Sequence, residues 1–125
     1  DETILVVEDD DEVRSVAVGF LEKLGYRVLE AADARQALEH IASKPDIDLL
    51  FTDVVMRGAL DGPALAIEAR RLRPGLRVVF TSGHAPEAIA SLERRAGAEL
   101  LPKPYRIDQL ARMLRRALDA SPPAG

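Results

Sequence analysis

Cysteine is absent from the 125 residues. That excludes a disulfide framework and thiolate chemistry, and suits a reducing cytoplasm, which is the expected setting. There is no basic excess either: the net charge is −4, whereas a nucleic-acid-binding surface usually declares itself by clustered Lys and Arg. No apolar run approaches the roughly 18–20 residues that span a bilayer, and no signal-peptide pattern opens the chain, so no membrane partner is expected. The first residue is Asp1 rather than Met, the pattern expected of a piece of a longer or processed protein. Within these residues no nucleic-acid partner is expected, since no DNA-binding segment is legible after the last helical stretch. With 47% hydrophobic and 30% charged residues, the length suits one globular domain with a single core.

Short apolar runs alternate with amphipathic stretches along the whole chain. The runs are residues 4–7, 26–29, 49–52, 78–81 and 99–101, most of them rich in Val, Ile and Leu. Continuous runs this short suit strands buried on both faces of a parallel sheet. Between them the period becomes helical. Val13, Val16, Ala17, Phe20, Leu21 and Leu24 form one stripe, with Gly25 as its stop. Ala34, Ala37, Leu38 and Ile41 form a second, ended by Pro45. Leu65, Ala69 and Leu72 form a third, ended by Pro74-Gly75, and Ile107, Leu110, Ala111, Leu114 and Leu118 form the last. A further short helix is expected over residues 86–95. Five strands alternating with five helices predict a three-layer α/β domain, a doubly wound (βα)5 fold. Residues 1–120 make the domain; 121–125 read as a tail or the start of a linker.

In open parallel sheets, function sits at the carboxyl ends of the strands. The first strand ends in Glu8-Asp9-Asp10-Asp11, the third in Thr52-Asp53, the fourth in Thr81-Ser82-Gly83 and the fifth in Lys103-Pro104. Carboxylates from two strands, with no Cys or neighbouring His, make a hard-oxygen site suited to Mg²⁺. Without a cation the acids repel one another, so removing Asp9 is expected to relieve the fold. Thr81 can donate a hydrogen bond and Lys103 can neutralise charge, which is what a phosphoryl group requires. Aspartate is itself a nucleophile for phosphoryl transfer. The loop after the first strand holds four acids instead of a Ser/Thr/Gly-rich phosphate cradle, which argues against a flavin site. No further general acid or base, and no cap segment, supports a turnover enzyme.

The set Ile4-Leu5-Val6-Val7-Glu8-Asp9-Asp10, Asp53-Val54-Val55-Met56, Asp61-Gly62, Thr81-Ser82-Gly83 and Lys103-Pro104 resembles the receiver domains of two-component response regulators, including those of hybrid histidine kinases. Each piece is weak alone; together, in this order, they are specific, and they cover the chain from Ile4 to about Leu118. The resemblance implies a flavodoxin-like five-stranded parallel sheet ordered 2-1-3-4-5. It implies Asp53 as phosphoacceptor, with Asp9 and Asp53 as direct Mg²⁺ ligands and the backbone carbonyl of Val55 as a third. Glu8 would act through water, Thr81 would turn its hydroxyl toward the phosphoryl group, and Lys103 would pair with the phosphoryl oxygens. A cis Lys103-Pro104 bond is implied as well.

By the same resemblance the chain acts in phosphorelay signal transduction. It would accept phosphoryl from a sensor histidine kinase or phosphotransfer protein, switch conformation toward a downstream protein target, and catalyse only its own phosphorylation and dephosphorylation. The alternative is a constitutive interaction module of the same fold.

Three departures from the family pattern stand out. Arg57 occupies a position that is commonly proline, and the loop Gly58-Ala59-Leu60 is one residue longer than in the commonest members. The approach from Gly97-Ala98 to Lys103 is one residue shorter, so the usual switch aromatic falls on Leu100. The expected consequence is an output carried by residues 82–95 more than by Leu100. Plainer readings apply to other residues. Asp10 and Asp11 also suit capping of the first helix, and Asp61-Gly62 a turn and cap. His84 reads as exposed and non-catalytic, and His40 as lying on an outer helix face. Arg70, Arg71, Arg73, Arg94, Arg95, Arg112, Arg115 and Arg116 read as solvated helix faces that counter the acidic pocket.

Overall fold

Successive side chains of a strand point to opposite faces, so a strand that is apolar at every position must be covered on both sides. The first strand does this. Leu5 and Val7 join one buried cluster and Ile4 and Val6 another, on opposite faces of the sheet. The computed structural model describes residues 2–58, 60–83 and 98–120. In chain order these hold β1 (Thr3–Val7), α1 (Asp11–Lys23), β2 (Arg27–Ala31), α2 (Ala34–Ser43), β3 (Ile47–Asp53), α3 (Gly62–Leu72), β4 (Arg77–Ser82), β5 (Glu99–Pro102) and α4 (Ile107–Asp119). All strand pairs are parallel, in the order β2-β1-β3-β4-β5. Helices α2 and α3 cover one face through Ile41, Leu65 and Ala69, and α1 and α4 the other through Leu21, Leu110 and Leu114. The expected three-layer fold and strand order are those found. The helix expected over 86–95, the tail at 121–125, His84, Arg94 and Arg95 lie outside the described residues.

The local signals act as their chemistry dictates. Asp10 caps α1, accepting hydrogen bonds from the Glu12 and Val13 amides at 2.9 and 3.1 Å, and Asp33 and Asp61 cap α2 and α3. Gly25 ends α1 at φ 91°, a left-handed conformation that a side chain would resist. Its amide and that of Tyr26 close on the Glu22 and Leu21 carbonyls. Because the Tyr26 amide is committed there, β2 begins at Arg27 rather than at Tyr26 as the apolar run implied.

Two expectations need correction. Val13, Val16 and Leu72 belong to the apolar stripes by spacing, yet Val16 and Leu72 are more than half exposed and Val13 is exposed too. A stripe wider than the facing sheet leaves its margin in water. Arg70 and Arg73 are not solvated counter-charges to the acidic pocket. The Arg73 guanidinium donates to the carbonyl oxygens of Ile47, Ile41 and Lys44 at 3.0, 2.8 and 2.9 Å, tying the C-terminus of α2 to the start of β3. Arg70 donates to the Leu76 carbonyl at 3.3 Å, and burial pulls its guanidinium below the usual arginine value. Both sit at the opposite ends of the strands from Asp53. His40 is partly exposed, in keeping with an outer helix face, its Nε2 lying 3.0 Å from the Glu30 carbonyl oxygen.

Candidate functional site

The carboxyl ends of β1, β3, β4 and β5 meet at one edge because the sheet order makes them neighbours. Asp53 pairs with Thr81 across β3 and β4, and Thr81 with Leu101 across β4 and β5. The ladders run one step past the strand ends, where the Glu8, Val54 and Lys103 amides donate to the carbonyls of Ala31, Thr81 and Ser82 at 3.1, 3.0 and 2.9 Å. The backbone carrying Glu8 and Lys103 is therefore as fixed as the sheet itself. The Lys103-Pro104 bond is cis. From there the Lys103 ammonium reaches Glu8 Oε1 at 2.8 Å and Asp53 Oδ2 at 3.5 Å.

One carboxylate oxygen from each of Glu8, Asp9 and Asp53 lies within 4.8 Å of the others. This is an all-oxygen set, without nitrogen or sulfur, and fits a hard divalent cation such as Mg²⁺. The acids are not equivalent. Burial pushes the Asp53 carboxyl above the ordinary aspartate value, although the Lys103 ammonium opposes it. Burial likewise raises Glu8 against the hydrogen bond from Lys103. For Asp9 burial also pushes upward, but hydrogen bonds from the Arg57 backbone and guanidinium outweigh it, and the carboxyl lies below its ordinary value. Lys103 is pulled down by burial, and the Glu8 hydrogen bond and the two carboxylates more than restore it, so it is held as a cation.

The supporting contacts come from residues whose roles the sequence did not reveal. Arg14, only 16% exposed, donates to the Glu8 carbonyl at 2.8 Å and pairs with Asp11 and Glu30 at 2.7 and 3.2 Å, bracing the acidic loop. Tyr105 packs edge-on against Phe51 and Phe20, with ring centroids 6.0 and 6.2 Å away. With Glu8, Thr81 and Lys103 it lines a small void of about 10 Å³ beneath the site. Burial, then the charges of Glu8 and Asp53, push its phenol up to about 12. Gly62 begins α3 directly against the end of β3: a Cβ there would strike the Asp53 carbonyl oxygen and approach the Val54 Cα to 2.9 Å. No side chain larger than hydrogen fits without displacing Asp53.

Of the residues singled out from sequence, Glu8, Asp9, Asp53 and Lys103 converge. Thr81 is buried beside Asp53 on the sheet, but its hydroxyl donates to the Leu101 carbonyl at 2.8 Å. Val55 stands half exposed in the turn after β3, and Leu100 packs partly buried against the α2/α3 side of the core. Among the described residues no helix is long and apolar enough to cross a membrane.

Residues 4–115 match the model of the response regulator receiver domain. The chain belongs to this family of two-component signalling modules. It is similar to the sensor kinase CckA of Brucella abortus (strain 2308), 40% identical over 119 residues that make up 94% of this chain and 12% of that protein. The response regulator receiver protein CpdR of the same organism is 34% identical, over 94% of this chain and 98% of CpdR. Among solved structures, a response regulator receiver domain protein from Clostridium thermocellum superposes with a TM-score of 0.87 at 28% identity, covering 94% of both chains. NtrX from Brucella abortus gives 0.86 at 36% identity, over 94% of this chain and 26% of that one. The chain thus spans a small part of CckA and NtrX and nearly all of CpdR.

Proposed function

We propose that this chain is a phosphorelay switch in which Asp53 accepts the phosphoryl group. The observation that carries the reading is the convergence of Glu8, Asp9 and Asp53 with the Lys103 ammonium, in a chain of the receiver family. An Asp53 carboxylate oxygen attacks phosphorus, the bond to the donor nitrogen of a kinase or phosphotransfer-protein phosphohistidine breaks, and its electron pair returns to the imidazole. Lys103 then has a phosphoryl oxygen to pair with in addition to Glu8. Asp9, Asp53, the Val55 carbonyl and, through water, Glu8 would hold Mg²⁺, which would supply neutralisation of the phosphoryl charge. Hydrolysis of the acyl phosphate resets the site. Receiver domains are signalling modules, and the only chemistry assigned here is the gain and loss of the chain's own phosphoryl group.

The function follows from a ligand-dependent population shift. Phosphate acts as a switch only if it favours one conformation over another, and this reading gives that response to the Thr81 hydroxyl. The output is read by a protein partner in the cytoplasm.

Incubation with acetyl phosphate and Mg²⁺ tests the reading. One acid-stable, base-labile phosphoryl group per chain is the expected product, lost when EDTA replaces Mg²⁺. A chain that takes no label but still binds its partner is the constitutive interaction module instead.

A further inference from the structure

Resting on the Mg²⁺ site just proposed, we infer that Arg57 is a built-in competitor for that cation: its guanidinium occupies Asp9 and sets how tightly the site binds Mg²⁺. Two donors of one residue converge on a single oxygen. The Arg57 backbone amide and its Nε each lie 3.1 Å from Asp9 Oδ2. Asp9 is 48 residues away in sequence, so the contact depends on β1 and β3 being neighbours and on the turn after Met56 bringing residue 57 back over the β1 loop. A cation that takes Oδ2 meets a positive charge already seated there.

The exposures assign different parts to the two partners. The Asp9 side chain is 20% exposed and Arg57 86%. The Asp9 carboxylate is thus largely covered, while the arginine arm is in water and can leave at small cost. It also has somewhere to go. An open groove of about 440 Å³ between α2 and the loop after β3 is lined by Arg57, Asp33, Arg35, Leu38 and Leu60. Displaced from Asp9, the guanidinium can enter this groove on the side of the Asp33 carboxylate. Lys103 does not duplicate this role. It is partly buried, bonded to Glu8 and directed at Asp53, whereas Arg57 bears on Asp9, the ligand on the other flank. Proline, common at this position in receiver domains, has neither the charge nor the backbone N–H to reach Asp9.

An exposed ion pair contributes at most about 1 kcal/mol, so the competition is a tuning device and not a block. Removing it should tighten Mg²⁺ binding by about two- to five-fold, since 1.4 kcal/mol corresponds to tenfold. The dependence on charge gives a second signature: the advantage should shrink as NaCl is raised toward about 1 M, where surface charges are screened within a few ångströms.

The test is a MgCl₂ titration followed by amide chemical shifts, on wild type, Arg57→Gln and Arg57→Lys, with acetyl phosphate labelling run in parallel. The expected result is a dissociation constant lower for Arg57→Gln than for wild type, Arg57→Lys between them, and a gap that closes with salt. Equal or weaker binding by Arg57→Gln overturns the inference and leaves Asp53 as acceptor if wild type still binds Mg²⁺ and takes label. A wild type that does neither removes the site on which the inference rests, and the inference with it.

Discussion

The Thr81 hydroxyl donates to the Leu101 carbonyl oxygen at 2.8 Å, from a side chain that is 4% exposed. Its proton is directed into the β4–β5 ladder and not toward Asp53, its neighbour on β3. To serve a phosphoryl group it has to give up that bond, and the change is passed to β5. Thr81→Val should therefore still accept phosphoryl from acetyl phosphate but lose any phosphate-dependent change in amide exchange at Ser82, Gly83 and around Leu101. Leaving the Leu101 carbonyl without this donor should also cost about 1 kcal/mol. A valine variant with the full exchange response would show that the hydroxyl is not the relay.

The site's burden on the fold rests on Asp53 and Glu8. Both carboxyls are raised by burial. An acid whose folded value is raised favours folding while protonated, and that contribution is lost as pH rises from the unfolded value near 3.8 for Asp through the folded one. At pH 7 in EDTA, Asp53→Asn should raise Tm by a few degrees. Asp9 has the opposite sign: Arg57 holds its carboxyl low, so its ionised form supports folding above the unfolded value and that support fades on acidification. Asp9→Asn should leave Tm unchanged or lower it, against the expectation from simple repulsion that removing Asp9 relieves the fold. Thermal melts of the two variants from pH 4 to 7 check both signs.

Gly62→Ala should disturb the end of β3. The added methyl meets the Asp53 carbonyl and the Val54 Cα, and overpacking of this kind costs about 1–3 kcal/mol. Gly19→Ala, in α1 with nothing within 4 Å of its Cβ, should instead stabilise by about 0.5–1 kcal/mol. Labelling by acetyl phosphate should slow for Gly62→Ala and not for Gly19→Ala. Equal stability and rates in the pair would show that the close approach does not matter.

Tyr105 offers an optical probe. The chain has two tyrosines and no tryptophan, so alkaline absorbance reports phenolate directly. A phenol should titrate at about 12 and vanish in Tyr105→Phe. Because the charges of Glu8 and Asp53 contribute to the rise, Asp53→Asn should lower that value. The sign for stability is a loss between about pH 10 and 12, as the unfolded chain releases this proton first. A titration near 10 for Tyr105 would mean it does not sit beneath the carboxylates.

Much of this architecture was legible because strands buried on both faces leave unbroken apolar runs. Ile4-Leu5-Val6-Val7 could be nothing half-solvated, and Asp53, Thr81 and Lys103 stood at the ends of such runs. The long side chains were not legible. Arg73 read as a solvated cation, Arg57 only as a departure from a common proline, and Arg14 drew no reading, yet one clamps α2 to β3, one seizes Asp9 and one braces the Glu8 carbonyl. Their targets lie 32, 48 and 6 residues away, and where a flexible arm lands depends on the tertiary placement of groups that no local pattern records. The void beneath Tyr105 was hidden for the same reason, being walled by four different elements and loops.

Intact-mass spectrometry of wild type and Asp53→Asn, after exposure to acetyl phosphate and Mg²⁺, decides whether Asp53 is the phosphoacceptor. Wild type should gain the mass of one phosphoryl group, removed by alkali, while Asp53→Asn stays unmodified with its fold intact. Equal uptake by the two proteins would show that Asp53 is not the acceptor.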